Sequence, residues 1–284
     1  MNLYLILVDA VSSNKITRDS FIKSAQEFSE INIVCIETIE DYEELLRKNQ
    51  FSVNDGVYRI GTNETSTQIE QEILLQGAKS LHRGDAWLYQ YKSKTVMNHH
   101  NNTQIVPTRI IHSKSKVHLD RLVDELGGFP LIIKATGGSH GAGIMKVSDK
   151  DTLYPLVEYM LAQKKGQITL KKYIHADGHY RVVVLDGKVL STIKYEKPND
   201  DFRTNAGEPV VAPVDLSDEG KRVALDAVRK QSLQTNFGGV DLIWSEKDQK
   251  FYVMEVNFPC FFPRNEMVDD VNISGEIIKF IFSL

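Results

Sequence analysis

Short apolar runs alternate with helical spacing along the first ninety residues. Leu3-Tyr4-Leu5-Ile6-Leu7-Val8 is a run without polar breaks, as a strand buried on both faces requires. A helical pattern follows from Thr17 to Phe28 behind a threonine cap, then a second strand at Ile31 to Ile36. Asp41 to Lys48 runs from acidic to basic, the charge order a helix dipole favours. Gly56 to Ile60 supplies a third strand, and Ser66 to Gln76 a helix that stops at Gly77. Strands separated by helices predict a parallel sheet with crossover helices, an α/β unit.

The remainder reads differently. A helical pattern spans Trp87 to His100, a polar break follows at Asn101-Asn102-Thr103, and Ile105 to Thr108 opens a new element. Strands are expected at Pro130–Ala135, Gly143–Val147, Gln167–Ile174, Tyr180–Leu185 and Lys188–Tyr195, with Asp186-Gly187 a hairpin turn between the last two. Asp218 to Thr235 is a helix capped by Ser217. A hairpin joins Gly239–Trp244 to Phe251–Asn257, and residues 272–283 form a last helix. This part is α+β, rich in antiparallel strands. No internal repeat or low-complexity segment interrupts it.

Composition changes this picture little. The 284 residues are 42% hydrophobic and 25% charged, which excludes disordered, collagen-like and coiled-coil chains. The 34 basic and 38 acidic residues sum to −4, so no basic face for nucleic acid is expected. Cys35 and Cys260 are too few for a disulfide framework or a thiolate zinc site and suit a reducing compartment. The opening apolar run ends at Asp9, far short of the ~20 residues that span a bilayer, and no charged leader precedes it. The expectation is a cytoplasmic protein with no membrane segment.

Three groups of residues carry candidate chemistry. Lys134-Ala135-Thr136-Gly137-Gly138-Ser139-His140-Gly141-Ala142-Gly143 is a glycine-rich turn between two strands. Its backbone amides can crowd onto an anion while the strand-borne lysine adds a charge. A glycine-rich hairpin without a ligand is an equally good reading; no Walker or dinucleotide fingerprint is present. Glu255 and Asn257 lie two apart on the last strand and so project together, and a turn through 246–250 sets Asp241 opposite Glu255, ~5 Å away. Two carboxylates and an amide oxygen suit Mg²⁺. A solvated polar face is the alternative, disfavoured because Val240, Leu242, Val253, Met254 and Val256 make the strands look buried. The third group is basic: Lys94, Lys134, Arg181 at the head of an apolar strand, and Arg203 in the loop 201–205.

The order of these pieces resembles the ATP-grasp superfamily, and within it the RimK-type ligases that attach glutamate to ribosomal protein. Asp55-Gly56-Val57-Tyr58-Arg59-Ile60-Gly61 is similar to that group's strand ending in Arg-Ile-Gly, Met254-Glu255-Val256-Asn257 to its metal motif, and Gly275-Glu276-Ile277-Ile278 extends the likeness toward the C-terminus. The resemblance implies an N-terminal α/β (pre-ATP-grasp) domain, 1–92, and an ATP-grasp domain, 93–284, whose central lobe (about 105–170) and C-terminal lobe (about 171–284) clamp ATP.

It also implies roles. Lys94 and Lys134 hold ATP phosphates beneath a loop containing Gly137, Gly138, Ser139 and Gly141. Lys171 to Ile174 match the adenine-reading hinge, with Lys172, Tyr173 and Ile174 contributing backbone contacts. Lys171-Lys172 stand where the family has Gln-Glu. The ribose-binding acid is replaced by His179, leaving Asp177 as the nearest carboxylate. Arg181 and Arg203 flank the transferred phosphate and substrate carboxylate and, with Lys134, form the catalytic set. Asp241, Glu255 and Asn257 are the Mg²⁺ ligands, with Mn²⁺ an alternative metal.

The implied activity is amide formation through an acylphosphate, on an amino acid, peptide or protein; a homo-oligomer is compatible with it. A kinase on the same fold and a non-catalytic ATP- or peptide-binding protein are the rival functions. The chain departs from the family after the metal motif, where Phe258-Pro259-Cys260-Phe261-Phe262-Pro263-Arg264 replaces a small Pro-Gly turn. This segment either reshapes the substrate pocket or packs the C-terminal helix.

Overall fold

A computed structural model describes residues 1–8, 11–85, 104–135, 143–163, 166–204, 209–231 and 234–283. Within them twelve strands form three sheets. The first is parallel, in the order β2 (Asn32–Ile36), β1 (Asn2–Ile6), β3 (Gly56–Arg59). Its central strand serves two cores, which is why its sequence shows no polar alternation. Leu3, Leu5 and Leu7 face one side, whereas Tyr4, Ile6 and Val8 face the helices α2 (Ile39–Arg47) and α3 (Glu64–Leu75).

The second sheet is antiparallel: β4 (Thr108–Ile111), β7 (Ile168–Lys172), β5 (Leu131–Ala135) and β6 (Ile144–Val147). One face packs Ile111, Leu131, Ile133, Val147 and Leu170 onto the helices α4 (Lys116–Glu125) and α5 (Lys150–Ala162). The third sheet is β10 (Val211–Pro213), β9 (Lys188–Glu196), β8 (Gly178–Leu185), β11 (Phe237–Ser245) and β12 (Lys250–Asn257). The helix α6 (Asp218–Lys230) covers its outer face through Val223, Ala224, Ala227 and Val228.

The inner face of the third sheet shares a core with the first. Val183, Leu185 and Phe237 join Leu3, Leu5, Phe21 and Tyr58, and beyond the short α7 (Pro263–Asp269) the helix α8 (Ile273–Phe282) adds Ile277, Ile278 and Ile281. Contact is close at Gly56, where a Cβ would lie 2.5 Å from Ile281 Cγ2. The parallel unit and the C-terminal sheet are therefore one packed body.

Several local expectations need correction. The helix expected from Thr17 begins at Ser12, as α1 (Ser12–Ala25), and Thr17 is buried in its interior rather than capping it. Thr17, Phe21 and Ser24 make the buried stripe, so the helical period starts a turn earlier than the capping signal suggested. Nothing in the pattern announced α4 or α5. The former sets its three buried residues, Leu119, Leu122 and Val123, among Asp120, Arg121, Asp124 and Glu125; the latter carries Pro155. The helix expected to reach Thr235 stops at Lys230, because Gln231 turns extended and its amide donates to Thr235 Oγ1 at 2.6 Å.

The segment 258–264 resolves toward packing. Phe258, Cys260 and Phe262 are buried in the shared core, with Phe262 against Phe21 at 5.8 Å and Phe237 at 6.0 Å, while Phe261 turns outward. Beneath Phe258 lies a buried ionic group. Arg59 Nε is 2.7 Å from Glu70 Oε2, and His82 Nε2 is 3.3 Å from Glu70 Oε1. The Arg59 guanidinium lies over the Phe258 ring at 5.7 Å and His82 meets its edge at 5.2 Å. Burial opposes the Glu70 charge, but Arg59 and His82 hold the carboxyl down at about 2. The residue following Asn257 is thus fixed from below.

Candidate active site

The face of the second sheet opposite its core is polar by alternation. Lys134 pairs in register with Thr169, and two residues along, Ile132 pairs with Lys171. Lys146 lies on the same face, opposite Ile132 on β6. On the third sheet, β8 sets Arg181 beside Asp241 of β11, and Asp241 pairs with Glu255 of β12. Register then slips: Leu242 pairs with Val253, leaving Met254 as the extra residue of a bulge, 37% exposed where the sequence suggested burial.

These side chains converge. Lys134 Nζ is 3.8 Å from Glu255 Oε2. Asn257 Nδ2 lies 3.3 Å from Asp241 Oδ2 and 3.2 Å from Glu255 Oε1. Arg181 grips Asp241 in a fork, Nε to Oδ1 and Nη2 to Oδ2 at 3.1 Å, and its Nη1 donates to the Phe261 carbonyl at 3.3 Å. Gly239, across from Asn257, leaves room for Cys260, since a Cβ there would come within 2.8 Å of the cysteine Cβ. That packing brings the Phe261 carbonyl beneath the guanidinium. Cys260 itself is buried and its thiol is pushed up to about 12, an inert state.

Electrostatics separate the two carboxylates. Burial, helped by the Glu255 charge, pushes Asp241 up to about 6 against the pull of Arg181. Glu255 is lower than an ordinary carboxyl: burial opposes its charge, and Lys134, Asn257 and Arg181 more than offset that. Lys171 is lowered by burial and by repulsion from Lys134. The donor set is hard oxygen once the Asn257 amide, which here turns Nδ2 toward both carboxylates, presents Oδ1: two carboxylates and one amide oxygen. Among the described residues no three His, Cys, Asp or Glu side chains cluster, so the amide is needed as a third donor. Such a set fits Mg²⁺.

The other expected residues are placed as follows. Lys172 points away from Lys134 and pairs with Asp248 at 2.6 Å, over Tyr252. Tyr173 carries the Lys146 ammonium on its ring at 4.2 Å, and Ile174 is buried with Val106 and Ile243. Asp177 faces solvent, paired with Lys194 at 2.7 Å. Arg203 is forked onto Asp201, at 2.6 Å from Nη2. His179 is buried and stacked on Tyr195 with ring centres 4.6 Å apart. Lys94, Gly137, Gly138, Ser139 and Gly141 lie outside the described residues.

A family model described as the RimK-like ATP-grasp domain matches residues 89–281. The chain belongs to this family. A probable alpha-L-glutamate ligase of Psychromonas ingrahamii is 31% identical to this RimK-like chain over 165 residues, 56% of this chain and 52% of that protein. One from Aliivibrio fischeri is 31% identical over 163 residues, again 56% and 52%. The chain thus spans about half the length of the curated relatives it matches. Among solved structures, D-alanine–D-alanine ligase from Bacillus anthracis aligns with a TM-score of 0.72 at 17% identity, over 100% of this chain and 96% of that one. The ATP-grasp ligase PsnB, in complex with a phosphomimetic variant of its minimal precursor, Mg and ADP, aligns at 0.70 and 15%, over 99% and 97%. The fold is ATP-grasp.

Two features of this RimK-like site were not singled out in the sequence. Lys171 entered only as hinge backbone, although Ile168-Thr169-Leu170-Lys171 alternates and so aims its side chain with that of Thr169 at the cleft. Asp248, which takes Lys172 out of the cleft, sits in a turn and carried no signal.

His179 gives the site a pH signature. Burial, and next the Arg181 charge, lower it to about 4 from the ordinary 6.5. Between those values the unfolded chain takes up a proton that the folded one refuses, so stability falls as pH falls and is unaffected above 6.5. Urea unfolding at pH 7.5 and pH 5 should show wild type losing about 2 kcal/mol more than His179→Gln over that interval. Equal losses would mean that the ring is not held neutral.

Proposed function

We propose that the protein is an ADP-forming, Mg²⁺-dependent carboxylate–amine ligase acting on an amino acid, peptide or protein. The observation that carries this reading is the meeting of Lys134, from one sheet, with Asp241, Glu255 and Asn257, from another. A cation on one wall faces a hard-oxygen set on the other, the arrangement a metal-bound polyphosphate needs. The family supports it, as do the relatives named for glutamate ligation and the ligase structures that share the fold.

In this scheme a substrate carboxylate oxygen attacks the terminal phosphorus of ATP and ADP leaves. An amine nitrogen then attacks the acyl carbon, phosphate leaves, and the amine proton passes to solvent. Mg²⁺, or Mn²⁺, held by Asp241, Glu255 and Asn257, would neutralise phosphate charge. Lys134 adds a fixed charge on the opposite wall, joined by Lys94 and the loop containing Gly137, Gly138, Ser139 and Gly141. The hinge backbone of Lys172, Tyr173 and Ile174 receives the base, and Asp177, beside His179, is the available carboxylate for the ribose. Arg181, locked by Asp241 and the Phe261 carbonyl, offers its guanidinium edge to the acyl group without reorganising. Arg203 serves the transferred phosphate. Residues 1–92 and 93–284 are read as the two functional units, in a reducing, cytoplasmic setting that suits Cys35 and Cys260 as free thiols.

The test is an ADP-release screen of amino acids and peptides in pairs, with Lys134→Ala as control. ADP, phosphate and amide in equal amounts support ligation. A stable phosphorylated product would make the protein a kinase, and tight ATP binding without turnover of any pair would make it a binding protein.

A further inference from the structure

Three lysines share the cleft face of the second sheet, and two of them have counterparts. Lys146 sits over the Tyr173 ring at 4.2 Å. Lys134 faces Glu255 at 3.8 Å. Lys171 is half-buried and, among the described residues, neither an ion pair nor a hydrogen bond engages it. Its cross-strand neighbours are neutral: Thr108 on β4, whose hydroxyl is given to the Val106 carbonyl, and Ile132 on β5. The diagonal neighbour is Lys134 itself, a like charge.

A half-buried ammonium set beside a like charge is unfavourable, and the Glu255 carboxylate, shared with Lys134, offsets it only in part. The next residue shows what compensation looks like in this fold, since Lys172 has Asp248 at 2.6 Å. The cleft charge balance makes the point sharper. Among the described residues Arg181 and Asp241 close on each other and Lys134 faces Glu255, so Lys146, held on the Tyr173 ring, and Lys171 are the positive charges in excess. The excess lies on the wall that faces the hard-oxygen set, where a polyanion with its metal would sit.

We propose that Lys171 is a second sheet-borne cation for the nucleotide polyphosphate, working as a pair with Lys134. This rests on the ATP-binding reading above. The pair differs from a single lysine in an observable way: two point charges on one rigid sheet, two residues out of register, can engage two oxygens of the chain of phosphates. Phosphate count, not base or ribose, should then decide how much Lys171 contributes.

Equilibrium binding of ATP, ADP and adenosine, each with Mg²⁺, to wild type, Lys171→Met and Lys171→Arg tests it. Lys171→Met should weaken ATP roughly 10- to 100-fold, the range of a charged hydrogen bond, and leave adenosine unchanged. Lys171→Arg should retain most of the affinity, and the gap between wild type and Lys171→Met should narrow as salt rises. Equal loss for ATP and adenosine would mean a structural role, and unchanged ATP affinity would leave the lysine outside the site; either result overturns the assignment. Lys134→Met separates the two claims. If it weakens ATP and Lys171→Met does not, only the role of Lys171 falls. If wild type binds none of the three ligands, the ATP reading falls and the assignment with it. Should Lys171→Met fail to fold, Lys171→Gln carries the same comparison.

Discussion

Glu255→Ala should stop ADP release almost completely while leaving the protein folded. The side chain is 48% exposed and, among the described residues, its one ion pair is to Lys134 at 3.8 Å, so stability should change by less than ~1 kcal/mol. The chemical effect is much larger. Removing one of two carboxylates from the proposed three-donor metal set would take away charge compensation where phosphoryl charge develops, about 4 kcal/mol or ~10³-fold in rate. Steady-state ADP release at saturating Mg²⁺, beside a urea denaturation curve, separates the two effects. A rate within a few-fold of wild type would place the metal elsewhere and sink the catalytic reading.

The second large effect belongs to Arg181, and there stability and activity should fall together. Its guanidinium is forked onto Asp241, whose side chain is 9% exposed. Arg181→Met keeps the length of the side chain and removes the charge, leaving a buried carboxylate facing none. Breaking such a pair from one side costs about 3–5 kcal/mol.

The sign of the pH dependence follows from Asp241, already pushed up to about 6 by burial and by Glu255. Without Arg181 its folded pKa rises further above the unfolded value near 3.8. The penalty is then present at pH 8 and is relieved as pH falls and the carboxyl takes a proton. Denaturation of wild type and variant at pH 8 and pH 5.5 should show the gap closing toward the lower pH. Arg181→Met with Asp241→Asn should regain stability yet stay inactive. A double variant as unstable as the single one would show that the cost lies in packing, not in charge.

The sequence revealed the site more fully than the helices around it. A turn read through 246–250 brings Asp241, Glu255 and Asn257 together. The turn in the fold is one residue shorter, since Ser245 pairs with Lys250, and it is the bulge at Met254 that restores Asp241 opposite Glu255. The bulge at Met254 could not be read, because an apolar residue in an apolar strand gives no sign that it will be left unpaired. Strand β1 was legible as a continuous apolar run, and Asp186-Gly187 as a turn. Helices α4 and α5 went unread: Asp120, Arg121, Asp124 and Glu125 break up the buried stripe Leu119, Leu122 and Val123 of one, and the other carries Pro155 within it. Lys171 was visible in the alternation of its strand but was overshadowed by its neighbour Lys172, which the fold sends to Asp248. The rings of 258–262 were seen, but not their direction, because packing against Phe21 and Phe237 depends on residues far away in the chain.

The core shared by the first and third sheets also dictates an order of events while the chain is being made. Leu3, Leu5 and Tyr58 are synthesised early, yet one face of their sheet is covered by Val183, Phe237, Phe262, Ile277 and Ile281. At ~5–20 residues per second, those partners leave the ribosome on the order of ten seconds later. Until then the nascent parallel sheet can close the side lined by Tyr4, Ile6 and Val8 against α2 and α3, and cover part of the other with Phe21 and Ala25 of α1. The rest of that second side stays open to solvent until α8, the last of these elements to be made, arrives.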